Sequence, residues 1–232
     1  INLETVPYTE IKNMTEGPNK KGNKFAYYDG SFYLNVDVSA YITTYFNYTK
    51  NITYYWDEAY KKAKETYFNG MQGYLMTITS EVENSYIFNQ LGAVSAWTGG
   101  SRLVPQTNQF AKDEFSTYNT DGGEIFYWQC GPEAGKSYWN GKTSSGTTDG
   151  CDYNFENWHH KDNGDTKEPN NSGTETCMQY YKKSEWNDMK ISGNSSSSDY
   201  IPRNYVVEFR PYSTQYGTQK AASQSVKLDA YY

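Results

Sequence analysis

Oxygen-bearing side chains are concentrated between residues 168 and 188 of this 232-residue chain. The segment carries carboxylates and amides, in the order Glu168, Asn170, Asn171, Glu175, Gln179, Glu185, Asn187 and Asp188. A calcium ion takes about six to eight oxygen ligands in a loose geometry, whereas zinc prefers imidazole or thiolate groups. The segment therefore predicts a calcium site.

The spacing of these residues supports the same prediction. A cis peptide bond before Pro169 would turn Glu168 and Asn170 the same way, so that their oxygens could converge on one ion. Asn187 and Asp188 are neighbours and would point to opposite faces of a regular strand. One of the two would therefore bind through a bent backbone or a main-chain carbonyl. For any single residue of the set, an ordinary polar turn before a strand is the alternative interpretation.

Three short motifs lie in this segment, namely Glu168-Pro169-Asn170, Glu175-Thr176-Cys177 and Trp186-Asn187-Asp188. Together they resemble the sugar-binding core of a C-type lectin domain. The resemblance implies an α+β fold with two helices, small antiparallel sheets and a long irregular calcium-binding loop region. It also implies that one Ca²⁺ is bound by Glu168, Asn170, Glu175, Asn187 and Asp188. Two vicinal sugar hydroxyls would be bound by the ion and by Glu168, Asn170, Glu175 and Asn187.

The order of the first motif has a further implication for sugar choice. Glu-Pro-Asn resembles family members that prefer mannose, fucose, glucose or N-acetylglucosamine, whereas the galactose type has Gln-Pro-Asp and an aromatic residue soon after. The implied partners are glycans or glycoproteins of a host or neighbouring cell, at an extracellular, secreted or cell-surface location. The segment Gly131-Pro132-Glu133-Ala134-Gly135, followed by Asn157-Trp158, is similar to bacterial versions of the domain. We therefore expect a bacterial adhesin module.

Two helices are predicted ahead of the motifs. Apolar residues at helical spacing predict an amphipathic helix that starts at Trp56 and ends near Asn69-Gly70. Ser80 and Glu83 form the Ser-x-x-Glu pattern of a capping box, which opens a second helix that reaches Leu91. This order of elements also matches the opening of a lectin domain.

Short strands are predicted on either side of the helices. Asp29-Gly30 indicates a tight turn between strands at 25–28 and 32–38. Further strands are expected at 73–78, 96–100, 124–128 and 206–209.

The domain boundaries follow from these elements. The lectin-like domain would span residues 25–210, with residues 39–53 as an insertion. A linker or loosely held leading segment would occupy 1–24, and a tail or linker 211–232.

The chain has three cysteines, an odd number. A bond between Cys130 and Cys151 would close the Gly-, Ser- and Thr-rich loop between them and lower the entropy of the unfolded chain. We expect this bond because the lectin resemblance implies an oxidising compartment; three reduced cysteines in a cytosolic protein are the alternative. At the family's partner position for Cys177 the chain has Ile191, so we expect Cys177 to be buried and unpaired.

Several other classes of function are disfavoured by the sequence. The net charge is −6 and the lysines are scattered, which argues against nucleic acid as a partner. No apolar run approaches the roughly eighteen residues of a membrane span, so direct membrane insertion is not expected. His159 and His160 have no third nitrogen or thiolate at ligand spacing, and we interpret them as an exposed loop pair rather than a zinc site.

Two alternatives to a lectin remain from the sequence. Paired carboxylates such as Glu168 and Glu175 could serve a glycosidase, which needs one carboxyl group with a raised pKa. Carboxylates that bind Ca²⁺ have lowered pKa values and are poor general acids, so we expect no enzyme. The third class is a protein-binding adhesin on the same fold, in which calcium only shapes a loop.

Overall fold

The computed structural model describes residues 5–17, 20–40, 42, 53–93, 95–103, 122–160, 167–210, 213–214 and 217–218. Three α-helices with full bounds are α1 (Thr5–Thr15), α2 (Trp56–Glu65) and α3 (Glu81–Leu91), and a 3-10 helix spans Ser198–Tyr200. The strands are β1 (Lys24–Tyr28), β2 (Ser31–Asp37), β3 (Tyr67–Phe68), β4 (Met71–Gln72), β5 (Tyr74–Leu75), β6 (Ala96–Ser101), β7 (Ile125–Trp128), β8 (Ser137–Asn140), β9 (Cys177–Tyr180), β10 (Trp186–Met189), β11 (Asn204–Phe209), β12 (Ser213–Thr214) and β13 (Gly217–Thr218). The α+β class predicted from the sequence is confirmed.

Nine of the described strands belong to one sheet, whose main path runs β1-β2-β11-β6-β7-β8. The hairpin turn predicted between β1 and β2 is confirmed, with Asp29 at φ 46° and Gly30 at φ 85°. Strand β11 pairs antiparallel with β2 and with β5, and parallel with β6. The β9–β10 hairpin, which contains the third sequence motif, is attached to β6 through β9. The candidate residues Asn187 and Asp188 therefore lie on a strand at the margin of this sheet.

Helix α2 packs on the sheet through residues at helical spacing. Trp56, Ala59, Tyr60 and Ala63 are buried, as the amphipathic pattern predicts. The helix ends at Glu65, before the predicted end at Asn69-Gly70, because the chain turns there into the two-residue strands β3 and β4. Gly73 lies between α2 and β11, where the two elements approach closely. A side chain does not fit there, because an added Cβ would lie 2.4 Å from a side-chain carbon of Val207.

The start of helix α3 is fixed by Ser80 and Glu83, as the capping-box pattern predicts. The Ser80 hydroxyl accepts the Glu83 N–H, while the Glu83 carboxylate accepts the N–H of Thr79, one residue before the cap. At the other end, Gly92 adopts the left-handed conformation that commonly ends a helix.

Several elements were not predicted from the sequence. Residues 1–24 were expected to be a linker or leading segment, yet α1 forms there, and Ile11 and Met14 pack against the core. The strands β3, β4, β8, β9, β12 and β13 were also missed, and the strand expected at 73–78 is reduced to two residues. The domain boundaries at 24/25 and 210/211 stay predictions, and most of the insertion at 39–53 lies outside the described residues. Helices long and apolar enough to span a membrane are missing from the described ranges.

The cysteine pairing expected from the sequence is corrected by the structure, in which Cys130, Cys151 and Cys177 are all free. Cys130 is buried, and its thiol donates to the carbonyl of Leu75 at 3.2 Å. Cys151 is only partly buried in a separate turn, where its thiol faces the carbonyl of Thr147 at 3.9 Å. The two thiols thus have different partners, because Cys130 points into the core. Cys177 is buried and unpaired, as predicted.

Three glutamates are buried together beneath the start of α3, namely Glu83, Glu133 and Glu208. The Thr77 hydroxyl lies 2.9 Å from a Glu133 oxygen and 3.4 Å from a Glu208 oxygen, although it has a single proton to donate. Ser31 donates to Glu208 and Tyr33 donates to Glu83, and the cluster also faces Tyr74 and Arg210. Burial and the charges of the other two glutamates raise the pKa of Glu208 to about 8.

We expect the free energy of unfolding to fall as pH rises from about 4.5 to about 8, because folded Glu208 holds its proton more tightly than the unfolded chain does. Glu208→Gln stays neutral, so its stability relative to the native chain should rise by about 1–3 kcal/mol across this window. Urea denaturation at several pH values, in the presence of a chelator, measures the difference. Glu124→Gln, at an exposed position, is the control. A pH-independent difference for Glu208→Gln would contradict the assignment.

Candidate functional site

The β9–β10 hairpin is held from below by an aromatic cluster. Trp186, which immediately precedes Asn187, is fully buried and makes edge-to-face contacts with Trp158 and Tyr138. Its indole N–H donates to the side chain of Asn84 on α3 at 3.0 Å. The backbone of Trp186 also pairs with the 157–159 segment, since its N–H donates to Asn157 and its carbonyl accepts from His159. The position of β10 is therefore fixed by packing rather than by the candidate site itself.

The Glu168–Pro169 peptide bond is cis, as predicted from the sequence. The side chains on either side of it converge, and the Asn170 amide donates to Glu168 Oε1 at 2.8 Å. Glu168 is buried, whereas Asn170 is half-buried. The N–H of Glu168 donates to the carbonyl of His159, which connects this loop to the 157–159 segment.

The Asp188 carboxylate joins the loop to strand β10. Its two oxygens accept the backbone N–H groups of Asn170 and Asn171 at 2.9 and 2.8 Å. Asp188 is fully buried. The carboxylate thus fixes the backbone of the loop at the residue that follows the cis proline.

Glu175 reaches the same place from the far side of a tight turn. Its carboxylate accepts the N–H of Ser172 at 3.0 Å, and its own N–H donates to the side chain of Asn171 at 3.1 Å. Asn171, Gly173 and Thr174 all have positive φ, between 54° and 68°. The turn therefore brings Glu175 back toward Glu168 and Asp188.

The three carboxyl groups share one electrostatic environment. Burial first, and the neighbouring Asp188 and Glu175 carboxylates next, raise the pKa of Glu168. Burial and the charge of Asp188 raise the pKa of Glu175 to about 8. Burial also raises the pKa of Asp188, against the opposing effect of the hydrogen bonds that it accepts. Three mutually repelling carboxylates disfavour full ionisation unless a positive charge lies among them.

The donor set fits a calcium ion in type and charge. Glu168 Oε2 is buried and receives no hydrogen bond, so one carboxylate oxygen of the described structure has a coordination position to spare. Oxygen donors from carboxylates and amides are the ligands that calcium prefers. Within the described ranges, however, no group of three or more His, Cys, Asp and Glu side chains stands as a ready metal cluster. Both oxygens of Asp188 already accept backbone N–H groups, so an ion would bind with some local adjustment.

Asn187 does not join the other four predicted ligands through hydrogen bonds. It is paired with Gln179 across the β9–β10 hairpin, and its amide nitrogen donates to the Gln179 side chain at 3.1 Å. Gln179 in turn donates to the carbonyl of Tyr200 at 2.8 Å. The structure therefore brings together Glu168, Asn170, Glu175 and Asp188 but not Asn187, and a ligand role for each of the five stays a prediction.

The two histidines do not form the exposed pair expected from the sequence. His159 is largely buried, its Nδ1 lies 2.5 Å from a Glu185 oxygen, and its ring packs edge-on against Tyr181. His160 is exposed, with its Nε2 3.9 Å from Glu156. His159 thus helps to hold the loop at Glu168, whose N–H donates to its carbonyl. Two adjacent histidines in a sequence give no indication of this role.

Tyr181 also lines a groove of about 490 Å³, and none of the five predicted ligands lines it. Its walls carry charges of both signs, from Asp37, Lys182, Asp199 and Arg203. This mixed lining selects no particular ligand charge. The candidate site is therefore the shallow carboxylate-lined region around the cis proline, not the groove.

Comparison with known proteins gives limited similarity. No family model matches the chain. Halomucin of Haloquadratum walsbyi is 28% identical over 154 residues, which are 66% of this chain and 1% of halomucin. The chain thus spans a very small part of the curated relative that it matches.

Similar solved structures have low sequence identity. The carbohydrate-recognition domain of the mouse scavenger receptor C-type lectin is 14% identical with a TM-score of 0.42, covering 82% of this chain and 98% of that one. The cow CD23 domain is 13% identical with a TM-score of 0.43, covering 85% and 98%. The lectin CEL-I from Cucumaria echinata is 15% identical with a TM-score of 0.40, covering 80% and 94%. The case for a binding site rests on the geometry of the chain itself.

We expect Gln179→Leu to lower the free energy of unfolding by about 1–3 kcal/mol, because the amide of Asn187 and the carbonyl of Tyr200 would lose a buried partner. Urea denaturation in the presence of a chelator measures this loss. Met189→Leu is the control at a buried position of the same hairpin, and should cost less than about 1.5 kcal/mol. Equal small losses in the two variants would show that the Gln179 hydrogen bonds matter little.

Proposed function

We propose that this chain is a calcium-dependent carbohydrate-binding module rather than an enzyme. The observation that carries the proposal is the convergence of Glu168, Asn170, Glu175 and Asp188, with a buried Glu168 oxygen that receives no hydrogen bond. A cation among these groups would relieve the repulsion between their carboxylates. Asn187 is proposed as a fifth ligand, in agreement with the resemblance to C-type lectins.

The residues of the site suit the recognition of sugar hydroxyls. When bound, the ion would supply a positive centre that coordinates two vicinal hydroxyl oxygens. Glu168 and Glu175 as carboxylates can only accept hydrogen bonds, whereas the amides of Asn170 and Asn187 can donate. A hydroxyl beside such a pair donates to one and accepts from the other. The half-buried Asn170 and Glu175 would contact the sugar from the solvent side.

The biological setting is proposed on the same basis. We place the module outside the cell, on a bacterial surface or secreted, where it would act as an adhesin that binds glycans or glycoproteins of a host or neighbouring cell. A single shallow lectin site binds one sugar weakly, so several sites acting together would be needed for firm attachment. A protein-binding adhesin is the competing function, and sugar competition separates the two.

We expect native protein to bind one Ca²⁺ at this site, as measured by isothermal titration calorimetry. Glu168→Gln or Glu175→Gln should weaken this binding by at least about tenfold, because calcium affinity depends on the charge of its ligands. Glu124→Gln removes the same charge at an exposed position outside the site and is the control. Native affinity in both site variants would refute the assignment.

The order of Glu168 and Asn170 leads to an expectation about sugar choice. At saturating calcium, free mannose, fucose, glucose or N-acetylglucosamine should compete for native protein better than galactose. The double substitution Glu168→Gln with Asn170→Asp keeps the net charge and exchanges acceptor for donor, so this preference should be lost. Retained calcium binding in the double variant is the internal control. Stronger inhibition of native protein by galactose would refute the specificity, and no inhibition by any sugar would favour the protein-binding adhesin.

A further inference from the structure

The side chain of Arg102 lies fully buried beneath the turn that carries Glu175. Its guanidinium donates from Nε to the carbonyl of Glu175 at 3.1 Å and from Nη1 to the carbonyl of Gly123 at 3.0 Å. Nη2 donates to the side chain of Asn171. The backbone of Arg102 is bound to the same region, since its N–H donates to Thr176 and its carbonyl accepts from Gly123.

Asn171 connects this guanidinium to the candidate ligands. Its side-chain oxygen accepts from both Arg102 and the N–H of Glu175, while its own N–H donates to Asp188. The ends of the turn are thus joined to one another through Arg102. A fork of guanidinium N–H groups can hold several carbonyl-type oxygens at once, which a lysine ammonium cannot do with the same geometry.

The turn needs such support because its backbone conformation is energetically unfavourable. Thr174 has a φ of 68°, a conformation that β-branched residues rarely adopt, and Asn171 has a φ of 54°. Conformations of this kind persist only where the surrounding structure fixes them. Arg102 provides contacts at both ends of this segment, at Asn171 and at Glu175.

We infer that Arg102 is a positioning residue that holds the 171–175 turn, and with it the Glu175 carboxylate, in the binding geometry before an ion is present. The part of this inference that concerns calcium rests on the proposed function. The positioning itself does not, because it concerns contacts within the chain.

Electrostatics and positioning give opposite expectations when Arg102 is replaced. Removing a buried positive charge beside a cation site would strengthen calcium binding if charge alone mattered. Losing the support of the turn would instead weaken it. Lys190 provides a comparison, because its charge also acts on Glu175 while the described hydrogen bonds of the turn do not involve it. Its side chain lies over Gly173, and methionine keeps most of that side-chain length.

The test uses the full chain with three substitutions, Arg102→Met, Arg102→Lys and Lys190→Met. Hydrogen exchange in the presence of a chelator reports on the turn, whose Glu175 N–H donates to the Asn171 side chain within it. We expect both Arg102 variants to exchange this amide at least about tenfold faster than native protein, and Lys190→Met to exchange it at the native rate. Calcium titration should show at least about tenfold weaker binding for the Arg102 variants, and unchanged or tighter binding for Lys190→Met.

Native exchange rates in Arg102→Met, or tighter calcium binding by that variant as in Lys190→Met, would overturn the inference. If native protein binds no calcium, the proposed function fails, but the exchange measurement still decides whether Arg102 positions the turn. Thermal unfolding shows whether Arg102→Met is folded. If it is not, Arg102→Lys decides, because it keeps the buried charge and leaves Asn171, the acceptor of the Glu175 N–H, in place. Faster exchange of the Glu175 amide in that variant is the expected result, and native exchange would overturn the inference.

Discussion

The two hydrogen bonds accepted by Asp188 are the interaction on which the candidate site depends. They tie a loop with little regular structure to a strand that is fixed by the core, at distances of 2.9 and 2.8 Å. Carboxylates that accept backbone N–H groups form strong, directional hydrogen bonds. They join the backbone of Asn170 and Asn171 directly to β10, whereas the Glu168 N–H reaches that strand only through His159. Asp188 is thereby held as a fully buried carboxylate next to those of Glu168 and Glu175, and the repulsion among the three makes the region suited to a cation.

Support for the site comes from two directions. From below, Trp186 and its aromatic neighbours fix β10, and the hydrogen bond to Asn84 connects that strand to α3. From the side, Arg102 holds the turn that carries Glu175. Both supports are buried and depend on contacts that are distant in the sequence. Asn170 and Glu175 can therefore stay partly open to solvent while their positions are determined elsewhere.

The features that the sequence predicted are those that depend on local chemistry. The hairpin at Asp29-Gly30, the cap at Ser80 and the cis bond before Pro169 each follow from a few neighbouring residues. The convergence of Glu168 and Asn170 followed from the same reasoning. The resemblance to C-type lectins grouped Asp188 with these residues, and its carboxylate accepts two N–H groups of the loop, whereas its role as a ligand stays a prediction.

The features that the sequence missed depend on tertiary contacts. Nothing in the local pattern around Arg102 shows that its side chain turns inward to meet a segment some seventy residues later. Helix α1 has a weak apolar pattern, and its packing against the core becomes visible only when the sheet is present. The expected pairing of Cys130 with Cys151 was wrong because loop closure was considered without the direction of each side chain. Cys130 faces the carbonyl of Leu75 in the core.

The chain buries two groups of carboxylates, and their different surroundings suit them to different roles. Glu83, Glu133 and Glu208 are enclosed by hydroxyl groups of Ser31, Tyr33 and Thr77, with the half-buried Arg210 as a positive charge nearby. Protons can neutralise that cluster, since burial raises the pKa of all three glutamates. The group around Asp188 instead combines backbone N–H donors, an oxygen without a hydrogen bond and two half-buried members, Asn170 and Glu175. This second cluster is partly open to solvent where those two residues lie, and the proposed ion and sugar would need that access.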